Sequence, residues 1–274
     1  MLIAIPSKGR AGHVRSREIL TTATLFVPAG EARDYQRLDG GAVVPVPADV
    51  TGITATRNWV LGWAEEQGEA DLVFVDDDVK AAGWVQLLPT QTSHNPLPER
   101  VWLAEFAKIF DVARGVGARI WGLATQSASR SVYPWKPFRW HSYVTASCMG
   151  ICLEHGLRFD PSFPVKEDYE LCLRCLRDDG LIVSAQYLYW ENAHWDTEGG
   201  CKTYRTQAME ETAIRRLMGM YPGYIRRVTR GGRTWRVTPC ASALWCRPSP
   251  FWTRAKGTGS GGRGHGLTLG FGAR

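Results

Sequence analysis

The chain has 274 residues, a net charge of +6, a hydrophobic fraction of 44 % and twelve Trp. That length suits one large α/β domain or two small ones. No apolar run is long enough for a membrane span, no signal-peptide pattern opens the chain, and an odd number of cysteines, seven, argues against a complete disulfide framework. The expectation is a soluble, cytoplasmic protein.

Charge is distributed unevenly. Residues 201–274 carry fourteen Lys and Arg against Glu210 and Glu211, so the first two hundred residues are net acidic. An acidic body with a basic C-terminal third points to a polyanionic partner near that end.

Residues 2–6 (LIAIP) read as a short apolar strand, and the loop SKGRAGH follows. Pro6, Ser7, Lys8 and Arg10 stand at or just past the strand end, where Gly9 and Gly12 allow close backbone approach. That loop suits contact with a nucleotide, or it is a solvated basic turn. Residues 17–22 look helical, 23–28 read as a second strand, and 42–47 as a third, edge-like because of its prolines. In TGITATRN, Thr54 or Thr56 is a candidate cap for a helix with Trp59, Val60, Trp63 and Ala64 at helical spacing. Arg57 falls in its first turn, opposing the helix dipole. It reads either as a phosphate contact or as a salt-bridge partner of a nearby Asp.

Residues 71–80 (DLVFVDDDVK) form the central motif. Leu72, Val73, Phe74 and Val75 suit a strand buried on both faces, and three carboxylates stop it abruptly. Unpaired carboxylates are too costly to bury, so they should emerge at the C-terminal edge of the sheet, where open α/β folds bind ligands. Extended alternation would send Asp76 and Asp78 to one side and Asp77 to the other. Two hard oxygen donors on one side suit Mg²⁺ or Mn²⁺ and, through it, a diphosphate. An ordinary acidic turn is the competing reading.

Residues 84–98 look like a loop, 99–115 an amphipathic helix and 119–124 another strand. Residues 126–142 interleave Tyr133, Trp135, Phe138 and Trp140 with Arg130, Lys136 and Arg139, a composition suited to stacking on bases and holding phosphates, or to folding over the core. Residues 143–153 read as a buried strand, with Cys148 and Cys152 as packing. A second acidic cluster, KEDYE, opens a helix. Glu167 and Asp168 suit its N-terminal dipole, and either is also a candidate general base. Cys172 and Cys175 lack a second cysteine pair at zinc-site spacing, so they read as core.

Residues 181–188 form a last strand, after which His194 stands as a further candidate metal ligand ahead of a Gly199–Gly200 loop suited to closing over a ligand. Residues 206–221 read as a helix and 224–239 as a basic β-hairpin with Arg226, Arg227, Arg230, Arg233 and Arg236. From 248 the chain is Gly/Ser/Arg-rich and reads as disordered.

The conjunction of IPSKGR, TATRN, LVFVDDDV, KEDYELCLRCL and a late His before Gly-Gly resembles the GT-A fold of nucleotide-sugar-dependent glycosyltransferases over roughly residues 1–205. The IPSKGR start and the basic tail more narrowly resemble the TET-associated glycosyltransferases, a largely bacteriophage-encoded group that glycosylates 5-hydroxymethylcytosine in DNA. The resemblance implies a GT-A-like (Rossmann-like), mostly parallel central sheet flanked by helices in residues 1–205. A basic helix and hairpin (206–247) and a Gly/Arg-rich tail (248–274) would follow. It implies a metal-dependent, inverting hexosyl- or pentosyltransferase that uses a nucleoside-diphosphate sugar, in the first place a UDP-sugar. Asp76 and Asp78, with His194, would hold Mn²⁺ or Mg²⁺. Asp77 would contact the ribose, and Pro6, Ser7, Lys8, Arg10 and Arg57 would line the nucleotide pocket. Asp168 or Glu167 would deprotonate the acceptor hydroxyl. Arg139, Trp140, Arg226, Arg227, Arg230 and Arg233 are the expected DNA contacts, and the host cytoplasm is the expected location. A glycan, lipid or protein acceptor, and a non-catalytic nucleic-acid-binding protein, are the alternatives.

Overall fold

The computed structural model describes residues 1–85, 97–125, 136–193, 205–230 and 233–239, with side chains described as far as Ile225. The expectations for Arg130, Tyr133, Trp135, His194, the Gly199–Gly200 loop and the tail from 248 lie outside the described residues. So do the side chains of Arg226, Arg227, Arg230, Arg233 and Arg236.

The first half alternates strands and helices, with α2 an addition to the elements expected from the sequence: β1 (Leu2–Pro6), α1 (Ser16–Ile19), β2 (Thr24–Pro28), α2 (Ala32–Leu38), β3 (Val43–Val46), α3 (Ile53–Glu66) and β4 (Asp71–Val75). Strands β3, β2, β1 and β4 lie side by side and pair in parallel. The second half comprises β5 (Val79–Trp84), α4 (Glu99–Val116), β6 (Ile120–Ala124), β7 (Phe138–Arg139), β8 (Cys148–Cys152), α5 (Glu167–Asp178) and β9 (Val183–Asn192). The sheet order is β3-β2-β1-β4-β8-β6-β9-β5, with β7 also pairing β9. Here β8 runs antiparallel to both β4 and β6, and β5 and β7 run antiparallel to β9. The expected α/β architecture with flanking helices is therefore present, and its parallel character is concentrated in the β3–β4 half and the β6–β9 pair.

Period-two alternation builds the two sides of the core. Ile3, Ile5, Val73 and Val75 face α4 and Tyr35 of α2, whereas Ala4, Leu72 and Phe74 face α3 and α5. Leu72 to Val75 are fully buried, as a strand covered on both faces requires. On the α3 side Phe26 makes edge contacts with Trp59 and Trp63, at 6.3 and 5.3 Å between centroids. Burying a ring of this kind contributes about 1.5–3 kcal/mol. Cys148, Cys152, Cys172 and Cys175 are buried free thiols, all pushed above the usual range first by desolvation. Packing is their role, as their sequence setting suggested.

Two local expectations need correction. Neither Thr54 nor Thr56 caps α3: Gly52 stands at its N-cap, Thr54 Oγ1 donates to the Phe163 carbonyl at 2.6 Å, and Thr56 Oγ1 donates back to the Gly52 carbonyl at 2.9 Å. The helix thus begins earlier than the Thr positions implied, placing Arg57 beyond its first few residues. Strand alternation also ends at Val75, because residues 76–78 form the turn between β4 and β5.

Beyond the sheet, α6 (Gln207–Met220) leads to a two-stranded ladder of β10 (Ile225–Arg230) and β11 (Arg233–Pro239), the expected hairpin. Ala213, Leu217, Tyr221 and Ile225 pack on Phe163, Val165 and Leu173, so α6 and the hairpin base lie against the outer face of α5. Among the described residues no helix is long and apolar enough to cross a membrane.

Candidate active site

The C-terminal ends of β1 and β4, the N-terminus of α5 and the end of β9 meet at the Asp76–Asp78 turn. Its backbone is fixed from three sides. The Asp76 amide donates to the Ser147 carbonyl at 3.0 Å, the Ala193 amide donates to the Asp78 carbonyl at 2.9 Å, and Ser16 Oγ donates to the Asp76 carbonyl.

Asp76 faces α3 and β9. Its Oδ1 lies 3.1 Å from Arg57 Nη2, and its Oδ2 accepts from Asn192 Nδ2 at 2.9 Å. Desolvation pushes its carboxyl up to about 7; Arg57 opposes this, and the negative charges of Asp78 and Asp77 add to it. The side chain keeps 35 % exposure, so water screens Asp76 more than its neighbours.

Arg57 is the hinge of the cluster. Its guanidinium also pairs with Glu167 at the start of α5, and both partners are almost fully buried. The Phe74 and Phe159 rings flank it at 5.8 Å each. Its placement along α3 costs little against the dipole when two carboxylates surround it. Burial pushes the Glu167 carboxyl up, Arg57 pulls it back down, and Asp168 adds to the rise.

Asp77 turns the other way, into the loop after β1. Ser7 Oγ donates to its Oδ2, Arg10 pairs with its Oδ1, and Arg10 Nη1 lies 3.7 Å from Asp78 Oδ2. Asp77 and Asp78 therefore share Arg10, while Asp76 belongs to Arg57 and Asn192. Strand alternation would have grouped Asp78 with Asp76 and set Asp77 apart; this does not hold, because the chain is turning at these residues. Desolvation raises Asp77 against the pull of Arg10 and Ser7. With both oxygens engaged, Asp77 ties the β1 loop to the end of β4. Tyr35 completes that tie: its hydroxyl lies 2.9 Å from Ser7 Oγ and accepts from the Arg10 amide at 3.0 Å. Pro6 ends β1 beneath the loop, and Lys8 is exposed at its tip.

Asp168 is half-buried beside Glu167. Its Oδ2 accepts from the Tyr143 hydroxyl, and its Oδ1 accepts from the Tyr169 amide at 2.9 Å. Tyr143 and Tyr169 stack with centroids 4.0 Å apart. Desolvation and then the nearby Asp168 carboxylate raise Tyr143 well above 10.0, so it is held as a hydrogen-bond donor.

Carboxylate oxygens, the donor type that hard divalent cations take, are concentrated around the turn. Five carboxyls (Asp76, Asp77, Asp78, Glu167 and Asp168) gather around Arg10 and Arg57, with Arg205 acting on Glu167 from farther off. Among the described residues no three His, Cys, Asp or Glu converge into a closed cage. Mg²⁺ and Mn²⁺ are hard ions commonly held by one or two carboxylates with substrate phosphates completing the shell. Among the neighbouring acids, Asp78 raises Asp76 most.

The fold thus brings together Ser7, Arg10, Arg57, Asp76, Asp77, Asp78, Glu167 and Asp168. Trp140 and Arg139 lie elsewhere, at the β7–β9 end of the sheet, where Trp140 is 39 % exposed and stacked on Phe138 at 5.9 Å. Tyr35, Tyr143, Ser147 and Asn192 were not singled out in the sequence. Asn192 had one legible cue, its position at a strand end two residues before His194.

Similar folds occur in solved structures. They include Staphylococcus aureus TarS residues 1–349 (13 % identity, TM-score 0.40, 70 % of this chain and 60 % of that one). Another is the Mycobacterium tuberculosis glucosyl-3-phosphoglycerate synthase in complex with Mn²⁺ and UDP-glucose (13 %, TM-score 0.49, 88 % and 90 %). A third is a putative nucleotide-diphospho-sugar transferase of Desulfovibrio desulfuricans (11 %, TM-score 0.38, 80 % and 97 %). The chain thus spans only 60 % of the TarS structure. No curated protein matches the sequence. Residues 1–200, however, match the family model of the TET-associated glycosyltransferases, and the chain belongs to that family.

Proposed function

We propose that this protein transfers a sugar from a nucleoside-diphosphate sugar, a UDP-sugar in the first place, to the hydroxyl of 5-hydroxymethylcytosine or a related hydroxymethylpyrimidine in DNA. The observation that carries the reading is the convergence of Asp76, Asp78, Arg57 and the Glu167–Asp168 pair at the C-terminal edge of the parallel strands. This is where an α/β sheet binds a nucleotide.

In this reading Asp76 and Asp78 hold Mn²⁺ or Mg²⁺, which when bound neutralises charge on the departing diphosphate. Ser7, Lys8 and Arg10, beyond Pro6, line the nucleotide side, and Asp77 holds that loop in place. Asp168 is better placed than Glu167 to act as the base, since Glu167 is buried against Arg57 while Asp168 is only half-buried. The acceptor oxygen attacks the anomeric carbon as its proton passes to Asp168. The bond from that carbon to the diphosphate oxygen breaks, and the nucleoside diphosphate leaves. One base and direct displacement give inversion. His194 is carried in this reading as a further ion ligand.

The acceptor assignment is supported by the basic hairpin. Phosphate neutralisation by Arg226, Arg227, Arg230 and Arg233 would supply salt-dependent, sequence-independent affinity. A base must also leave the stack to be modified, and Trp140, beside Arg139, offers an exposed ring. Donor and DNA meet in the cytoplasm, the proposed site of action.

The test is incubation with a panel of nucleotide sugars, Mn²⁺ and hydroxymethylcytosine DNA, followed by nucleoside mass spectrometry. A hexose- or pentose-sized addition, absent from unmodified DNA and from the Asp78→Ala protein, is expected. Donor turnover with glycan, lipid or protein acceptors but never with DNA would overturn the acceptor. Failure to bind or turn over any nucleotide sugar would leave a non-catalytic binding protein.

A further inference from the structure

Glu210 lies outside residues 1–200, yet its carboxylate reaches back to the residue that opens α5. Lys166 Nζ stands 2.9 Å from Glu210 Oε2, and Arg205 pairs with the other oxygen. Against desolvation, the hydrogen bonds from Arg205 and Lys166 hold Glu210 below its ordinary range, so the carboxylate is charged when it grips them.

Lys166 is an unusual residue to find in that grip. Among the described residues it is the non-glycine residue with a left-handed backbone, at φ 64° and ψ 23°. An L residue enters that region only against steric repulsion, so the surroundings must hold it there. The next two residues are Glu167 and Asp168. The direction in which α5 presents them is set by the Lys166 backbone, whose carbonyl accepts from the Glu170 amide at 3.1 Å. The Lys166 ammonium also lies 4.9 Å from the centroid of Tyr169, which stacks on Tyr143, the donor to Asp168. Within α5, Tyr221 donates to Glu170 at 2.7 Å in a buried bond, and ahead of the helix Arg216 covers Phe163 at 4.9 Å.

We propose that α6 is a clamp on the site and that Glu210 is its positioning residue: by holding Lys166 left-handed, Glu210 fixes the turn that presents Glu167 and Asp168. The catalytic half of this inference rests on the transfer reaction proposed above; the holding of the turn does not.

The full-length protein is compared with Glu210→Gln, Glu210→Asp, Lys166→Gly and the Glu210→Gln/Lys166→Gly double variant. Hydrogen exchange is followed by mass spectrometry in peptides covering 164–173. Glu210→Gln should speed exchange at the Glu170 amide about tenfold, and Glu210→Asp should recover most of the protection. Glycine is at ease at φ 64°, so in the Lys166→Gly background the Gln substitution should add nothing. On the transfer side, Glu210→Gln should lower kcat about 10- to 100-fold while donor KM stays within about twofold.

Wild-type exchange over 164–173 in Glu210→Gln would overturn the clamp, whatever the activity. Faster exchange with unchanged kcat would overturn its positioning role. If the wild-type protein transfers no sugar at all, the proposed function fails, and the exchange data alone decide whether the clamp exists. Should Glu210→Gln not fold, Glu210→Asp and Lys166→Gly carry the same comparison.

Discussion

Arg57 and Glu167, 110 residues apart in the chain, form a buried ion pair beneath the end of β4. The same guanidinium reaches Asp76, so one side chain couples a sheet strand to the helix that carries the candidate base.

Removing Arg57 would strand one fully buried carboxyl and one partly buried one. Breaking a buried pair from one side costs about 3–5 kcal/mol. Arg57→Ala should therefore lose about that much stability in urea unfolding, along with all sugar transfer. Arg57→Lys keeps the charge but not the fork that bridges two acids, and should fall between. An unchanged unfolding midpoint for Arg57→Ala would count against the bridge.

Tyr143 orients Asp168 through its hydroxyl while its ring stacks on Tyr169. Tyr143→Phe keeps the ring and deletes the bond. A fall in kcat of about 10-fold with unchanged donor KM is expected, from the loss of one hydrogen bond to a charged group. Equal kcat in the two proteins would show that Asp168 needs no such support.

Gly150 lies where β8 crosses Trp121. A Cβ there would come within 2.0 Å of the Trp121 ring, and Trp121 is fully buried. Gly150→Ala should destabilise by about 1–3 kcal/mol, since the core must shift to admit it. Thermal unfolding reads this directly, and an unchanged melting temperature would contradict the close approach.

Glu210 is held below its ordinary value of 4.5 in the folded chain. A depressed carboxyl contributes stability that is fully present above the unfolded value and is lost as pH falls through the folded one. The stability gap between wild type and Glu210→Gln should be constant from pH 7 to about 5.5 and shrink as pH falls below about 4.5. A gap that widens on acidification would mean the Lys166 and Arg205 contacts are not ionic.

Much of this protein was legible from local pattern. The four-residue apolar run ending at Asp76, the amphipathic spacing of 99–115 and the alternation of 224–239 each describe what a short segment does with its own hydrophobic face. The structure places a strand, a helix and a hairpin there. By contrast, α2 and β5 passed unread, because ARDYQRL and VKAAGW carry no strong period and are fixed by what they pack against.

Local pattern in the chain was enough to put carboxylates at a strand end, Arg57 near them, and Glu167 and Asp168 at the opening of a helix. Those follow from desolvation cost and helix periodicity, which act within a dozen residues. Which of these groups pair with one another is set by the packing of elements far apart in the chain. Asp77 turns to Ser7 and Arg10, Asp76 to Arg57 and Asn192, and Asp168 to Tyr143, because the turn after Val75 breaks strand alternation and distant elements close around it. The reach of Glu210 to Lys166 belongs to the same class, since a contact across 44 positions leaves no periodic trace in the chain that makes it.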